Sequence, residues 1–173
     1  MERRSKERIP PLEIYTDGSL KKQGQNMTFG GWCFYVIRND NCIYAKVDSM
    51  PNTTNQRMEL QAVVEALKYA QSARRKNEKV IVYSDSAYII NCYEKEWYIA
   101  WEYNGWLTSR GESVKNQDLW HEIVPFFDDF WYDFRKVKGH DKCFWNLQCD
   151  EMAQAAAEKL KKNWRGYNEQ RSL

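Results

Sequence analysis

Apolar positions along the chain come in short dense runs separated by polar breaks, and the spacing within the runs changes twice. Leu12, Ile14 and Tyr15 predict a strand over residues 12–17. Gly18 is expected to stop it, and the polar stretch 18–28, with Lys21, Lys22, Gly24 and Asn26, reads as a loop. Residues 29–38 are rich in strand formers, Asn39-Asp40-Asn41 interrupts them, and residues 42–48 resume the pattern. A polar break between two aromatic and β-branched runs predicts a hairpin. After a turn over 51–55 the period lengthens. Leu60, Val63, Val64, Leu67 and Ala70 recur at helical spacing within residues 56–75, with Arg74, Arg75 and Lys76 closing the helix where its dipole favours cations. Residues 80–84 form a continuous apolar run after that helix, as expected of a buried parallel strand. Further helices are predicted over 86–94, over 114–127 with Asn116 as its cap and Pro125 loosening its last turn, and over 147–164. Residues 97–109 are aromatic and polar with Gly105 as a breaker, and 131–137 alternate as a fifth strand. The order predicts one α/β domain: a mixed five-stranded sheet, three antiparallel strands then parallel strands, flanked by helices.

Length agrees with this picture, since 173 residues suit one domain that buries about two-thirds of its unfolded surface. The expected organisation is a disordered basic leader over 1–10, a folded domain over 11–164 and a basic tail over 165–173. The net charge of +2 decides little, but its distribution is uneven. Arg3, Arg4, Lys6 and Arg8 make the leader basic, and Lys159, Lys161, Lys162, Arg165 and Arg171 do the same near the other end, so the body is mildly acidic. Five scattered cysteines with no C-x-x-C pair predict a reduced, cytoplasmic protein. The N-terminus has no apolar run typical of a secretory signal, and no stretch approaches the ~20 apolar residues of a membrane span. Eight Trp and eleven Tyr exceed what so small a core can hide, so some rings are expected as surface platforms.

The candidate chemistry lies in acids at element ends. Asp17 and Asp85 close predicted strands, Glu59 falls in the first turns of a helix at the edge of its apolar face, and Asp150 opens the last helix. If the first and fourth strands are adjacent, these carboxylates meet at one rim of the sheet, where they repel unless divalent cations sit among them. Magnesium prefers hard oxygen ligands and keeps several waters, so a small carboxylate cluster suits it. Two such ions would activate a water and stabilise the leaving oxygen in phosphodiester cleavage. Taken singly, each acid reads more readily as a turn cap, a helix cap or a solvated helix residue than as a ligand.

Five stretches change that balance: Thr16-Asp17-Gly18-Ser19, Thr53-Thr54-Asn55-Gln56-Arg57-Met58-Glu59-Leu60, Ser84-Asp85-Ser86, Val137-Lys138-Gly139-His140 and Cys149-Asp150-Glu151-Met152-Ala153. Together, and in this order, they resemble the motifs of type 1 ribonuclease H, and the likeness runs from about Leu12 to Leu160. The resemblance implies the ribonuclease H-like fold and an endoribonuclease that hydrolyses the RNA strand of RNA/DNA hybrids, leaving 5′-phosphate and 3′-hydroxyl ends. It implies two Mg²⁺ ions, with Mn²⁺ a possible substitute, held by Asp17, Glu59, Asp85 and Asp150. His140 matches the histidine that assists proton transfer or product release, a task suited to an imidazole with a pKa near neutrality. Gly18, Asn55 and Gln56, and less directly Asn26, match positions that contact the RNA strand and its 2′-hydroxyl. Thr54 and Asn116, with Asn52 beside them, match a phosphate pocket for the DNA strand, and Trp97, Trp101 and Ser109 match its channel.

The chain departs from that pattern in its middle segment. Glu94, Glu96 and Glu102 stand where many bacterial relatives are basic, so fewer counterions are released on binding and the salt dependence is expected to be shallow. The stretch 141–147, with Phe144 and Trp145, also differs from the usual small acidic pattern. A monomer acting on a hybrid duplex, with no membrane partner, is the expectation. The competing readings are a retroelement-type ribonuclease H domain and a non-catalytic hybrid-binding module. Four acids facing phosphates argue against a pure binder.

Overall fold

Three consecutive strands, β1 (Leu12–Gln23), β2 (Met27–Arg38) and β3 (Asn41–Pro51), form an antiparallel meander in the computed structural model, which describes residues 9–137 and 143–170 with side chains as far as Trp164. The predicted leader, apart from its last two residues, the side chains of the tail 165–173, and His140 lie outside the described residues. The chain then crosses over through α1 (Asn55–Ala73) and lays β4 (Val80–Ser84) parallel to β1 on its free side. After α2 (Ala87–Glu94), α3 (Trp97–Tyr103), α4 (Gln117–Ile123) and a 3₁₀ turn (Val124–Phe126), β5 (Tyr132–Lys136) pairs parallel to β4. The strand order is β3-β2-β1-β4-β5, and α5 (Phe144–Gln170) closes the described chain.

Alternation along β1 sends successive side chains to opposite faces. Leu12 and Ile14 join Phe34, Val82 and the apolar stripe of α1 in the main core. Tyr15 points the other way, into a smaller cluster with Cys33, Ile37, Cys149 and Ala153 beneath α5. Helix α5 reaches that face by close approach: a Cβ on Gly31 would collide with the Ala153 carbonyl and the Ala157 nitrogen. A buried ion pair, Arg38 to Glu78 at 2.8 Å, ties β2 to the α1–β4 connection.

Three local expectations change. Gly18 does not end the first strand, which runs on to Gln23 and turns only at Gly24, with φ +59°. The glycine is needed for a different reason, because a Cβ there would overlap the α1 backbone at Met58 and Glu59. Asn116 does hold the N-cap position of its helix, and its carbonyl accepts from the Leu119 and Trp120 N–H groups, but its side chain does not cap. Its backbone is left-handed, with φ 58°, its side chain makes no capping bond, and its Oδ1 accepts from Arg57 Nη1 at 3.2 Å. The predicted helix over 114–127 is accordingly the seven-residue α4 followed by the 3₁₀ turn that carries Pro125. The last helix starts earlier than predicted and takes in Phe144 and Trp145, whose indole packs on Tyr35 while Phe144 is 61% exposed.

Candidate active site

Pairing between β1 and β4 stops at Thr16 opposite Ser84, so Asp17 and Asp85 are the next residue on each strand. The parallel register therefore sets them side by side just beyond the last pair, although β1 itself continues. Asp17 is 6% exposed and takes a 2.7 Å hydrogen bond from the Gly18 N–H to its Oδ1. Glu59 comes from the second turn of α1, which Gly18 allows to lie against β1. Its Oε1 accepts from Asn55 Nδ2 at 2.6 Å and its Oε2 from the Ser86 hydroxyl. Asp150 lies on α5, next to the buried Cys149 whose thiol donates to the Tyr15 carbonyl, and its Oδ1 accepts from Gln154 Nε2 at 2.7 Å.

The electrostatics follow from this crowding. Burial, then the charge of Asp85, with Asp150 and Glu59 adding to it, pushes the Asp17 carboxyl up to about 8, and the Gly18 N–H only partly offsets the rise. Glu59 is raised by burial and by Asp85, against the pull of the Ser86 hydroxyl. Asp85 is raised by the protein packed around it and by Asp150, with Lys136 acting in the opposite sense. Among the described residues none of the four forms an ion pair, and their hydrogen-bond donors are neutral. Among the described residues the negative charge is thus gathered with no ion-paired counterion, Lys136 acting on Asp85 without a salt bridge.

Among the described residues, no three His, Cys, Asp or Glu side chains converge into a cage able to grip one ion unaided. A small group of carboxylates of this kind suits magnesium, which keeps most of its waters and takes one or two carboxylates per ion. The donor set, hard carboxylate oxygens that crowd and repel one another, fits that cation.

Around the rim, the structure groups some predicted contact residues and separates others. Gln56, Trp97, Trp101 and Ser109 line one cleft of ≈ 680 Å³. Trp101 is only 9% exposed, wedged against Trp97, Trp106 and Trp120, so most of its ring is core and only an edge faces the cleft. Thr54 is the N-cap of α1 and accepts from the Arg57 N–H, while the Arg57 guanidinium bonds Asn116 and Asp118. Asn52 is exposed and left-handed just before this cap, at φ 53°. Asn26 lies in the β1–β2 turn, beyond six strand residues or about 20 Å at the usual rise from Asp17. A larger cleft of ≈ 860 Å³ runs along β5 and residues 127–130, by the N-terminal ends of β1, β4 and β5, and contains no predicted site residue.

Sequence reasoning gave no role to Arg57, Ser86 or Gln154. Arg57 and Ser86 sit inside stretches read for their neighbours, and a serine just before a helix reads as an ordinary cap. Gln154 was legible in principle, since it stands four residues after Asp150 on one helix face.

Solved structures share this architecture. LC9-RNase H1, a type 1 RNase H with the type 2 active-site motif, aligns over 90% of this chain and 75% of its own with a TM-score of 0.66 and 28% identity. LC11-RNase H1, solved in complex with RNA/DNA hybrid, shares the fold at 19% identity, with a TM-score of 0.60 over 86% of this chain and 98% of its own. Fold and acid rim thus define the class of ribonuclease H-like α/β domains. The RNase H family model matches residues 10–158, and the Ribonuclease H of Caldicellulosiruptor saccharolyticus is 40% identical over 153 residues, 86% of this chain and 97% of that protein. The chain belongs to the ribonuclease H family, whose members are metal-dependent in general.

Proposed function

We propose that this chain hydrolyses the RNA strand of RNA/DNA hybrids with two Mg²⁺ ions held by Asp17, Glu59, Asp85 and Asp150, Mn²⁺ being able to substitute. The observation that carries the site assignment is the crowding at Asp17, which is buried beside Asp85, Asp150 and Glu59 and whose carboxyl is pushed up to about 8 by that burial and those three acids. Bound there, the ions supply a nucleophilic water and charge stabilisation at the leaving oxygen. The protein's own share is to bind and orient. Asp17 and Asp85 are fixed by strand register, Glu59 by hydrogen bonds to both its oxygens, and Asp150 by Gln154.

The same reading assigns the RNA ribose to the Gly18 backbone with Asn55 and Gln56, and Asn26 to a more distant contact. The DNA strand then lies along the cleft of Trp97, Trp101 and Ser109, with a phosphate at Thr54, Asn116 and Asn52. Arg57, bonded to the Thr54 hydroxyl and the Asn116 amide, holds that phosphate pocket together. His140 assists proton transfer or product release. The catalytic domain spans 11–164 between a basic leader and a basic tail, and the enzyme acts as a cytoplasmic monomer. Among the described residues no helix is long and apolar enough to cross a membrane.

The test is strand selection. Labelled hybrid, single-stranded RNA, duplex RNA and duplex DNA are each incubated with the protein in Mg²⁺ and again in chelator. The expected result is cutting of the RNA strand of the hybrid alone, in Mg²⁺ alone, with 5′-phosphate and 3′-hydroxyl ends. Hybrid that is bound but left uncut in Mg²⁺ would reject the enzyme in favour of a binding module.

A further inference from the structure

Ser86 stands at the N-cap of α2, where a serine ordinarily turns its hydroxyl to accept from a first-turn N–H. Here it makes no capping bond. The side chain is 5% exposed and its hydroxyl donates across to Oε2 of Glu59, on another element. The junction is held by other means: the Ser86 N–H donates to the Ser84 hydroxyl at 3.2 Å, and that serine is itself 2% exposed. One hydroxyl fixes the turn and leaves the second free to reach α1. Asn55 takes the other Glu59 oxygen from within α1, so both carboxylate oxygens are held and the plane of the group is set.

We propose that Ser86 is a positioning residue: it orients Glu59 relative to Asp85, its own chain neighbour, and thereby sets the affinity of the rim for Mg²⁺. The inference rests on the reading of Glu59 and Asp85 as metal ligands. Three features favour it over a packing role. The hydroxyl forgoes the local bond that its position offers, it joins two elements that each deliver an acid, and it is a neutral donor that orients the carboxylate without cancelling its charge. Partners that orient metal ligands in this way typically change metal affinity or activity by about 10–100-fold when removed.

The experiment uses Mg²⁺ alone on hybrid-free protein, followed by calorimetric titration, beside the Mg²⁺ dependence of hybrid cleavage. Ser86→Ala and Ser86→Gly should both weaken Mg²⁺ binding by about ten-fold and raise the Mg²⁺ needed for cleavage in step. The KM for hybrid at saturating Mg²⁺ should stay at the wild-type value, and the melting temperature in chelator should fall by no more than about 2–4 °C, the scale of one lost hydrogen bond, since no capping bond is lost with it. Ser86→Thr, which keeps the hydroxyl, should restore the affinity. A wild type that binds Mg²⁺ and cuts, with Ser86→Ala and Ser86→Gly matching it, overturns the positioning role alone. A larger loss of chelated-state stability in both variants without a change in Mg²⁺ affinity overturns it too, by making Ser86 a packing residue. A wild type that neither binds Mg²⁺ nor cuts overturns the metal-site reading and the positioning role together.

Discussion

Asp17 is nine-tenths buried, faces three other acids and receives one hydrogen bond, so its ionised form is held at a cost in the metal-free fold. The consequence for stability has a definite sign. Its folded pKa, about 8, lies above the ordinary value of 3.8, so the stability it lends is fully present below the ordinary value and is lost as pH rises through about 8. Asp17→Asn removes that loss while keeping an oxygen to accept from the Gly18 N–H. In chelator the variant is expected to melt above wild type in mildly alkaline buffer, by something on the order of 1–2 kcal/mol, or about 2–4 °C for each kcal/mol at this size. The gap should close as the pH falls toward the ordinary carboxylate range. Thermal melting at the two ends of that range checks it, and a gap independent of pH would assign the shift to something other than the charge. A residue that destabilises its own fold in the absence of a ligand is the expected signature of a site built for that ligand.

At the scale of elements, two contacts set the site, and both involve a missing side chain. Gly18 lets α1 bring Glu59 against β1, and Gly31 lets α5 bring Asp150 over β2. Gly31→Ala drives a Cβ into the backbone of α5 and should cost about 1–3 kcal/mol, read as a lower urea midpoint with an unchanged slope. An unchanged midpoint would mean that α5 can shift outward freely. These contacts also explain what the sequence concealed. The runs that make β2, α1 and β4 were legible because burial on one face imposes a period. Gly18 was misread because glycine has two uses, as a breaker and as a place for close approach, and only the distant Met58–Glu59 backbone decides between them. The caps were ambiguous in the same way: Asn116 and Ser86 both sit where caps belong, and both spend their side chains on residues of α1. The four acids were readable as a set through the motif order, whereas the donors that orient them depend on partners far along the chain. The α2–α3 segment offers its own test, since Glu94, Glu96 and Glu102 are all exposed. Replacing them with Lys should tighten hybrid binding at low salt and steepen its salt dependence by up to about 0.9 per new phosphate contact. Unchanged affinity would show that this segment stays clear of the duplex.

Over the whole molecule, charge is divided by task. A net charge of +2 supplies little general attraction to nucleic acid, and the proposed function brings a phosphate backbone to the most crowded acids. Such a surface repels a duplex unless cations bridge the two, which couples hybrid binding to metal. The sheet makes that arrangement possible, because parallel pairing of β1 and β4 places Asp17 beside Asp85, and helices packed on opposite faces bring Glu59 and Asp150 to the same rim. The central claim is that these acids hold the metal that cuts the RNA strand. It is tested most directly by incubating one labelled RNA/DNA hybrid in Mg²⁺ with wild type, Asp17→Asn and Asp85→Asn, after confirming that all three are folded. The account predicts RNA-strand cleavage by wild type and a loss of at least about 10³-fold in both variants, on the scale of a lost transition-state stabiliser. Cleavage by either folded variant at the wild-type rate would contradict it.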